Sequence, residues 1–189
     1  MVKHGRKVTN RGEVIHAISI TKRPTSIGKR KRLGHWETDN LEGLRSDHTG
    51  VSVTVERMSR VTRLRKLADH TAQTKTDVLL DQFSHEPESC QKTITLDNGP
   101  ENKDGGRFQR TTAMIVYNTT PYHSWEKGTV ENMIGRVRRW LPKKRSVDRV
   151  TEHHLLLIEE VMNNTPRKIL GFLTPNEVYE KITRSSRIR

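Results

Sequence analysis

Read from its N-terminus, the chain shows no sustained apolar periodicity until Gly34, apart from a possible short strand at Val14–Ile20. Gly34–Leu41 then alternates between two faces as a strand does, and Val51, Val53 and Val55 alternate with Ser52, Thr54 and Glu56 as a half-buried strand. The Asp47–Gly50 turn joins these two, and a third strand is predicted at Val61–Leu67. Thr71 caps a helix running to about Phe83, with Val78, Leu79 and Phe83 facing inward. Lys92–Leu96 reads as a fourth strand closing at Asp97, Asp104–Thr112 as a short helix or loop, and Met114–Tyr117 as a fifth, short apolar strand.

The clearest helical stripe follows. From Val130 the apolar residues fall at 130, 133, 134, 137, 140 and 141. At about 100° per residue, Lys127, Glu131, Gly135 and Arg138 share one border of that stripe, while Arg136 and Arg139 point further round towards solvent. Thr151 opens another helix carrying Leu155, Ile158, Val161 and Met162, stopped by Asn163–Pro166. Thr174-Pro175-Asn176-Glu177 forms a capping box for a last helix to about Ile182. Strands first, then strands alternating with helices, predict an α/β fold with a mixed five-stranded sheet flanked by helices.

Composition changes the picture chiefly through charge. The net charge is +13, and it is clustered: residues 1–34 hold ten Lys/Arg and one Glu, and residues 127–149 hold eight against two acids. Residues 35–126 are mildly acidic, with eleven Lys/Arg against fourteen Asp/Glu. Such a distribution predicts a polyanionic partner for the basic segments and leaves a less cationic body between them. The expected organisation is a basic arm at residues 1–33, a core at 34–183 and a basic tail at 184–189. No run of 18 apolar residues and no apolar leader is present, so neither a membrane span nor a signal peptide is expected. Cys90 is the only cysteine, which excludes an intrachain disulfide and a Cys-based zinc site and fits a cytoplasmic setting.

Three acids stand at places where an open α/β sheet gathers ligands: Asp39 in the first predicted strand, Asp97 at the end of the fourth, and Glu131 on the striped helix. Carboxylates meeting there would repel one another unless a cation joined them. Oxygen-only donors select hard ions such as Mg²⁺ or Mn²⁺. Charges bordering a helix stripe are also routine, so position alone leaves Glu131 open between a surface charge and a working residue.

Gly34-His-Trp-Glu-Thr-Asp39, Thr95-Leu-Asp97-Asn-Gly and Pro121-Tyr-His-Ser-Trp-Glu-Lys-Gly-Thr-Val-Glu131-Asn, with 33 residues between Asp97 and Glu131, resemble the catalytic core of the insertion-sequence-thirty family of transposases. Trp140-Leu-Pro142-Lys, Asn163-Asn-Thr-Pro-Arg-Lys168 and Leu173-Thr-Pro175-Asn-Glu177 extend the resemblance over about residues 10–183. That family belongs to the DDE transposase and retroviral integrase superfamily. The resemblance implies a ribonuclease H-like fold, with Asp39, Asp97 and Glu131 as catalytic and metal-binding residues. It implies two Mg²⁺ or Mn²⁺ ions, hydrolysis at DNA 3′ ends and strand transfer, transposon-end and target DNA as partners, and a homo-oligomer on DNA at the nucleoid. Thr38 and Glu101-Asn102 depart from the common family pattern without touching the three acids, and the family's N-terminal DNA-recognition region is expected to be missing.

Lys127, Arg138, Arg139, Lys143, Lys144 and Arg145 are candidate phosphate contacts. Trp36 and Trp125 are read as core aromatics and His35 as structural, with Asn98 and Asn132 beside the acids as candidates for orienting them. Two other functions stay open from sequence: a catalytically silent DNA-binding fragment, and another ribonuclease H-like nuclease such as a junction resolvase.

Overall fold

The computed structural model describes residues 18–121 and 123–187. Its centre is a sheet of β1 (Ile18–Ser19), β2 (His35–Leu41), β3 (Gly50–Glu56), β4 (Thr62–Leu67), β5 (Thr93–Leu96) and β6 (Ile115–Asn118), ordered β1-β6-β5-β2-β3-β4. β2, β3 and β4 form an antiparallel meander, and β5, β6 and β1 add in parallel. The helices are α1 (Thr25–Gly28), α2 (Ala72–Ser84), α3 (Gly105–Thr112), α4 (Gly128–Val137), α5 (Glu152–Asn163) and α6 (Pro175–Arg187).

Two apolar clusters sandwich the sheet. On one side Leu41, Val51, Val53, Val55 and Leu64 pack against Val130, Met133 and Val137 of α4 and Leu155, Ile158 and Met162 of α5. On the other, Trp36, Ile94, Leu96 and Val116 pack against Leu79 and Phe83 of α2, Phe108 of α3 and Tyr179 of α6. Strand alternation therefore turns Trp36 towards α2 and its neighbours Glu37, Asp39 and Leu41 towards α4.

Among the described residues the sheet has six strands where five are expected. The sixth, Ile18–Ser19, pairs with β6 at the edge and falls within the possible strand at Val14–Ile20, of which residues 14–17 lie outside the described residues. Its downstream neighbours are anchored as well, with Ile20, Ile27 and Leu33 buried. β3 is buried on both faces, not half-buried, because α2 covers Ser52 and Thr54 and inserts Lys75, whose Nζ donates to Ser52 Oγ (2.7 Å) and Thr38 Oγ1 (3.0 Å). α6 continues to Arg187, past the expected end at Ile182. No helix among the described residues is long and apolar enough to cross a membrane.

Candidate active site

β2 and β5 run side by side in parallel and deliver Asp39 and Asp97 to the same end of the sheet. Each aspartate has one oxygen occupied locally. Asp39 Oδ1 accepts the Asn40 N–H at 2.9 Å, and Asp97 Oδ1 accepts Gly99 N–H at 2.9 Å and Asn102 Nδ2 at 2.6 Å, the turn typical of an Asp-Asn-Gly sequence. Both Oδ2 atoms are left facing one cation, the ammonium of Lys127, at 3.0 Å from Asp39 and 2.7 Å from Asp97. Burial would raise the Asp97 carboxyl, but the hydrogen bond and charge of Lys127 outweigh it and hold Asp97 below the usual carboxylate range. Burial would likewise lower Lys127, yet the charges of Asp39 and Asp97 raise it.

Glu131 enters from the first turn of α4, whose position is set by a residue that sequence reasoning passed over. Glu37 Oε2 accepts the free N–H groups of Thr129 (2.9 Å) and Val130 (3.0 Å), and Oε1 accepts Thr129 Oγ1 at 3.2 Å and Arg57 Nε at 2.7 Å. A buried carboxylate thus caps the start of the helix, satisfying its orphan donors and its positive dipole end. The available signal was the spacing: Glu37 precedes Asp39 by two residues and shares its face of β2.

Asp39, Asp97 and Glu131 line one cavity of about 460 Å³, together with Asn98, Thr119, Thr120, His123 and Lys127. The loop over it is fixed by Asn98 Nδ2, which donates to the Thr119 carbonyl at 2.6 Å, and by Glu126, which accepts from Thr120 N–H at 2.7 Å and Thr120 Oγ1 at 3.1 Å. Glu131 makes no side-chain hydrogen bond or ion pair among the described residues, and no three His, Cys, Asp or Glu side chains among them are gathered into a metal-holding group. The aspartate pair is an oxygen-only donor set already turned on a shared cation, which suits a hard divalent ion. Glu131 borders the same space without joining that pair.

The other anticipated residues divide. Lys127 is 3% exposed and bridges the aspartates, so it is committed to the site interior and not to a surface phosphate. Arg138 is half-buried, with Nη2 donating to the Glu42 carbonyl at 2.8 Å. Arg139, Lys143, Lys144 and Arg145 are exposed beyond α4 and line neither this cavity nor the one beside it. Trp36 is core, its Nε1 donating to the Cys90 carbonyl at 2.8 Å. Trp125 is not: it is 68% exposed and stands edge-on to His123 at a ring distance of 4.4 Å. His35 is buried against Thr93 Oγ1 at 3.0 Å, and burial, helped by the Lys92 charge, pushes it down to about 4. Asn132 and Arg136, the latter expected towards solvent, both line a second cavity across α4.

No protein-family profile matches the chain. Transposase InsI for insertion sequence element IS30C of Escherichia coli (strain K12) is 34% identical to it over 185 residues, covering 95% of this chain and 48% of that protein. The transposase for insertion sequence element IS4351 of Bacteroides fragilis is 33% identical over 181 residues, 95% of this chain and 55% of that one. The chain spans about half the length of the curated relatives it matches. In three dimensions it is similar to the crystallised catalytic core domain of BIV integrase, with a TM-score of 0.60 at 20% identity, over 82% of this chain and 98% of that one. That likeness fixes the fold as ribonuclease H-like.

Proposed function

Since the chain is homologous to the IS30-family transposases along nearly its whole length, we propose that it carries the DNA-cutting and strand-joining centre of such an enzyme. The observation that carries this reading is the convergence of Asp39 Oδ2 and Asp97 Oδ2 on one cation, in a cavity that Glu131 also lines. Asp39 and Asp97 would hold one Mg²⁺ or Mn²⁺, and Asp39 with Glu131 a second. When bound, such ions acidify a water and neutralise charge on phosphoryl oxygens.

The residues of the chain supply the rest. Glu37 holds α4, and with it Glu131, against the strand that bears Asp39. Lys127 holds the two aspartates side by side through its ammonium, on the oxygens that would bind the ion. The products of hydrolysis would be free 3′-hydroxyl ends, which then attack target DNA without a covalent protein intermediate. Arg139, Lys143, Lys144 and Arg145, exposed just after α4, suit the DNA backbone. Leu156, Leu157 and Val161 leave an apolar strip of α5 exposed, which favours self-association on DNA.

The test is nicking and joining of end-labelled DNA with Mg²⁺ or Mn²⁺. Asp97→Asn should abolish both while the protein stays folded. Metal-dependent turnover that survives Asp39→Asn, Asp97→Asn and Glu131→Gln would refute the assignment. A second reading, a DNA binder without turnover, is favoured by the separation of Glu131 from the aspartate pair; it predicts salt-sensitive binding and no cleavage. Joining of 3′ ends also separates strand transfer from junction resolution, which only cuts.

A further inference from the structure

Across α4 from the acidic cavity lies another, of about 660 Å³, and its lining is the electrostatic opposite. Arg30, Arg60, Arg136, Arg167 and Lys168 border it, with Thr129 and Asn132, and among the described residues no Asp or Glu does. The helix itself is the partition. Lys127 and Glu131 turn one way, whereas Gly128, Asn132 and Arg136, spaced four apart, turn to the far side.

Cations on a surface are usually solvated and carry no message, but two of these are not on the surface. Arg60 and Arg167 are only 8% and 7% exposed. Arg167 donates through Nη2 to the Met162 carbonyl at 2.8 Å, yet its Nε is buried without a partner among the described residues. The Arg60 side chain has no hydrogen bond or ion pair among the described residues. The acids whose charge reaches it are engaged elsewhere: Glu37 with Arg57 and the start of α4, Glu56 with the N–H groups of Gly34, His35, Met58 and Ser59. Burial, then the neighbouring cations, lowers both guanidiniums: Arg30 acts on Arg60, and Arg136 and Arg139 act on Arg167. Two buried guanidiniums with donors left over, beside the more exposed cations Arg30, Arg136 and Lys168, are complementary to an anion rich in acceptor oxygens. Phosphate meets that description better than a carboxylate, since tetrahedral oxygens accept from several forks at once.

We propose that this cavity grips a backbone phosphate of DNA, a second hold separate from the acidic cavity and divided from it by α4. The proposal rests on the DNA-processing reading above and adds the place where the strand is held.

The experiment follows binding of a labelled DNA duplex to the full chain by fluorescence anisotropy across a salt series. Arg136→Gln, Lys168→Gln and their combination are compared with Asp97→Asn and with Lys181→Gln, an exposed cation outside the cavity. Arg60 and Arg167 are left intact because replacing a buried side chain perturbs packing, and melting curves check that each variant is folded. The double variant should bind about tenfold more weakly and its salt slope should shrink by about 0.9, one phosphate. Lys181→Gln should keep the wild-type slope. A folded double variant with wild-type affinity and slope would overturn the proposal. So would a double variant that loses stabilisation by inorganic phosphate while DNA binding is untouched, for the cavity would then serve a small free anion. If the wild-type chain neither binds nor processes DNA, the parent reading fails; if it does both and the double variant is unaffected, only this inference fails.

Discussion

Glu37 accepts the backbone N–H of Thr129 at 2.9 Å, which ties the strand bearing Asp39 to the first turn of the helix bearing Glu131. Two of the three acids are thus positioned relative to each other by a fourth that never faces the cavity. Glu37→Gln removes the ion pair with Arg57 and offers a donor where two acceptors are needed. The expected cost is about 2–4 kcal/mol of stability, measured by urea unfolding, because it breaks a buried pair. A loss below about 1 kcal/mol would show that the cap does not hold the helix.

Lys127 competes for the oxygens assigned to a divalent ion. Lys127→Gln should therefore lower thermal stability at neutral pH, as Asp39 and Asp97 then repel one another. Added Mg²⁺ should restore it, raising the melting temperature more in the variant than in the wild type. Equal shifts in both proteins would contradict a shared site.

Lys75 is wholly buried against Thr38 and Ser52, and desolvation pushes its pKa down to about 7 from 10.5. Below pH 7 both folded and unfolded chains carry this proton, and the folded chain bears the full cost of a buried charge. Between about pH 7 and 10.5 the unfolded chain binds more protons, so the contribution of Lys75 to stability improves as pH rises. Lys75→Met should stabilise the protein at pH 6, by roughly 1–4 kcal/mol, and the gap should narrow at pH 9. Urea titrations at the two pH values read it directly, and a gap that widens would reverse the sign.

Trp125 stands exposed beside His123, which lines the acidic cavity. Trp125→Ala should weaken binding of single-stranded DNA by about 1–3 kcal/mol, the range for losing a base-stacking platform. Its melting temperature should stay within a degree or two of wild type, as little is packed against the ring. A large fall in melting temperature with unchanged DNA affinity would return Trp125 to a structural role.

Much of this was legible along the chain. Valine alternation at 51, 53 and 55 and the stripe positions Val130, Met133, Val137 and Leu141 are legible because these side chains meet one core, whereas Trp140, on the same stripe, lies past the end of α4 and is 38% exposed. What escaped notice depended on contacts between distant segments. Ser52 and Thr54 look like a solvated face until α2 lowers Lys75 onto them. Lys127 resembles any surface cation of a basic stretch, since nothing in its neighbours says that two aspartates from other strands meet its ammonium. Helical angle alone points Arg136 towards solvent, but the segment after α5, with Pro166, Arg167 and Lys168, lines a cavity on that side.

The ammonium between Asp39 and Asp97 also bears on how the polypeptide matures. A tethered counterion spares the newly made chain from needing an inorganic one to fold, unlike small zinc domains that collapse only when loaded. If the ion assigned to this pair is taken up only after folding, chelators should silence turnover yet leave the melting curve in place.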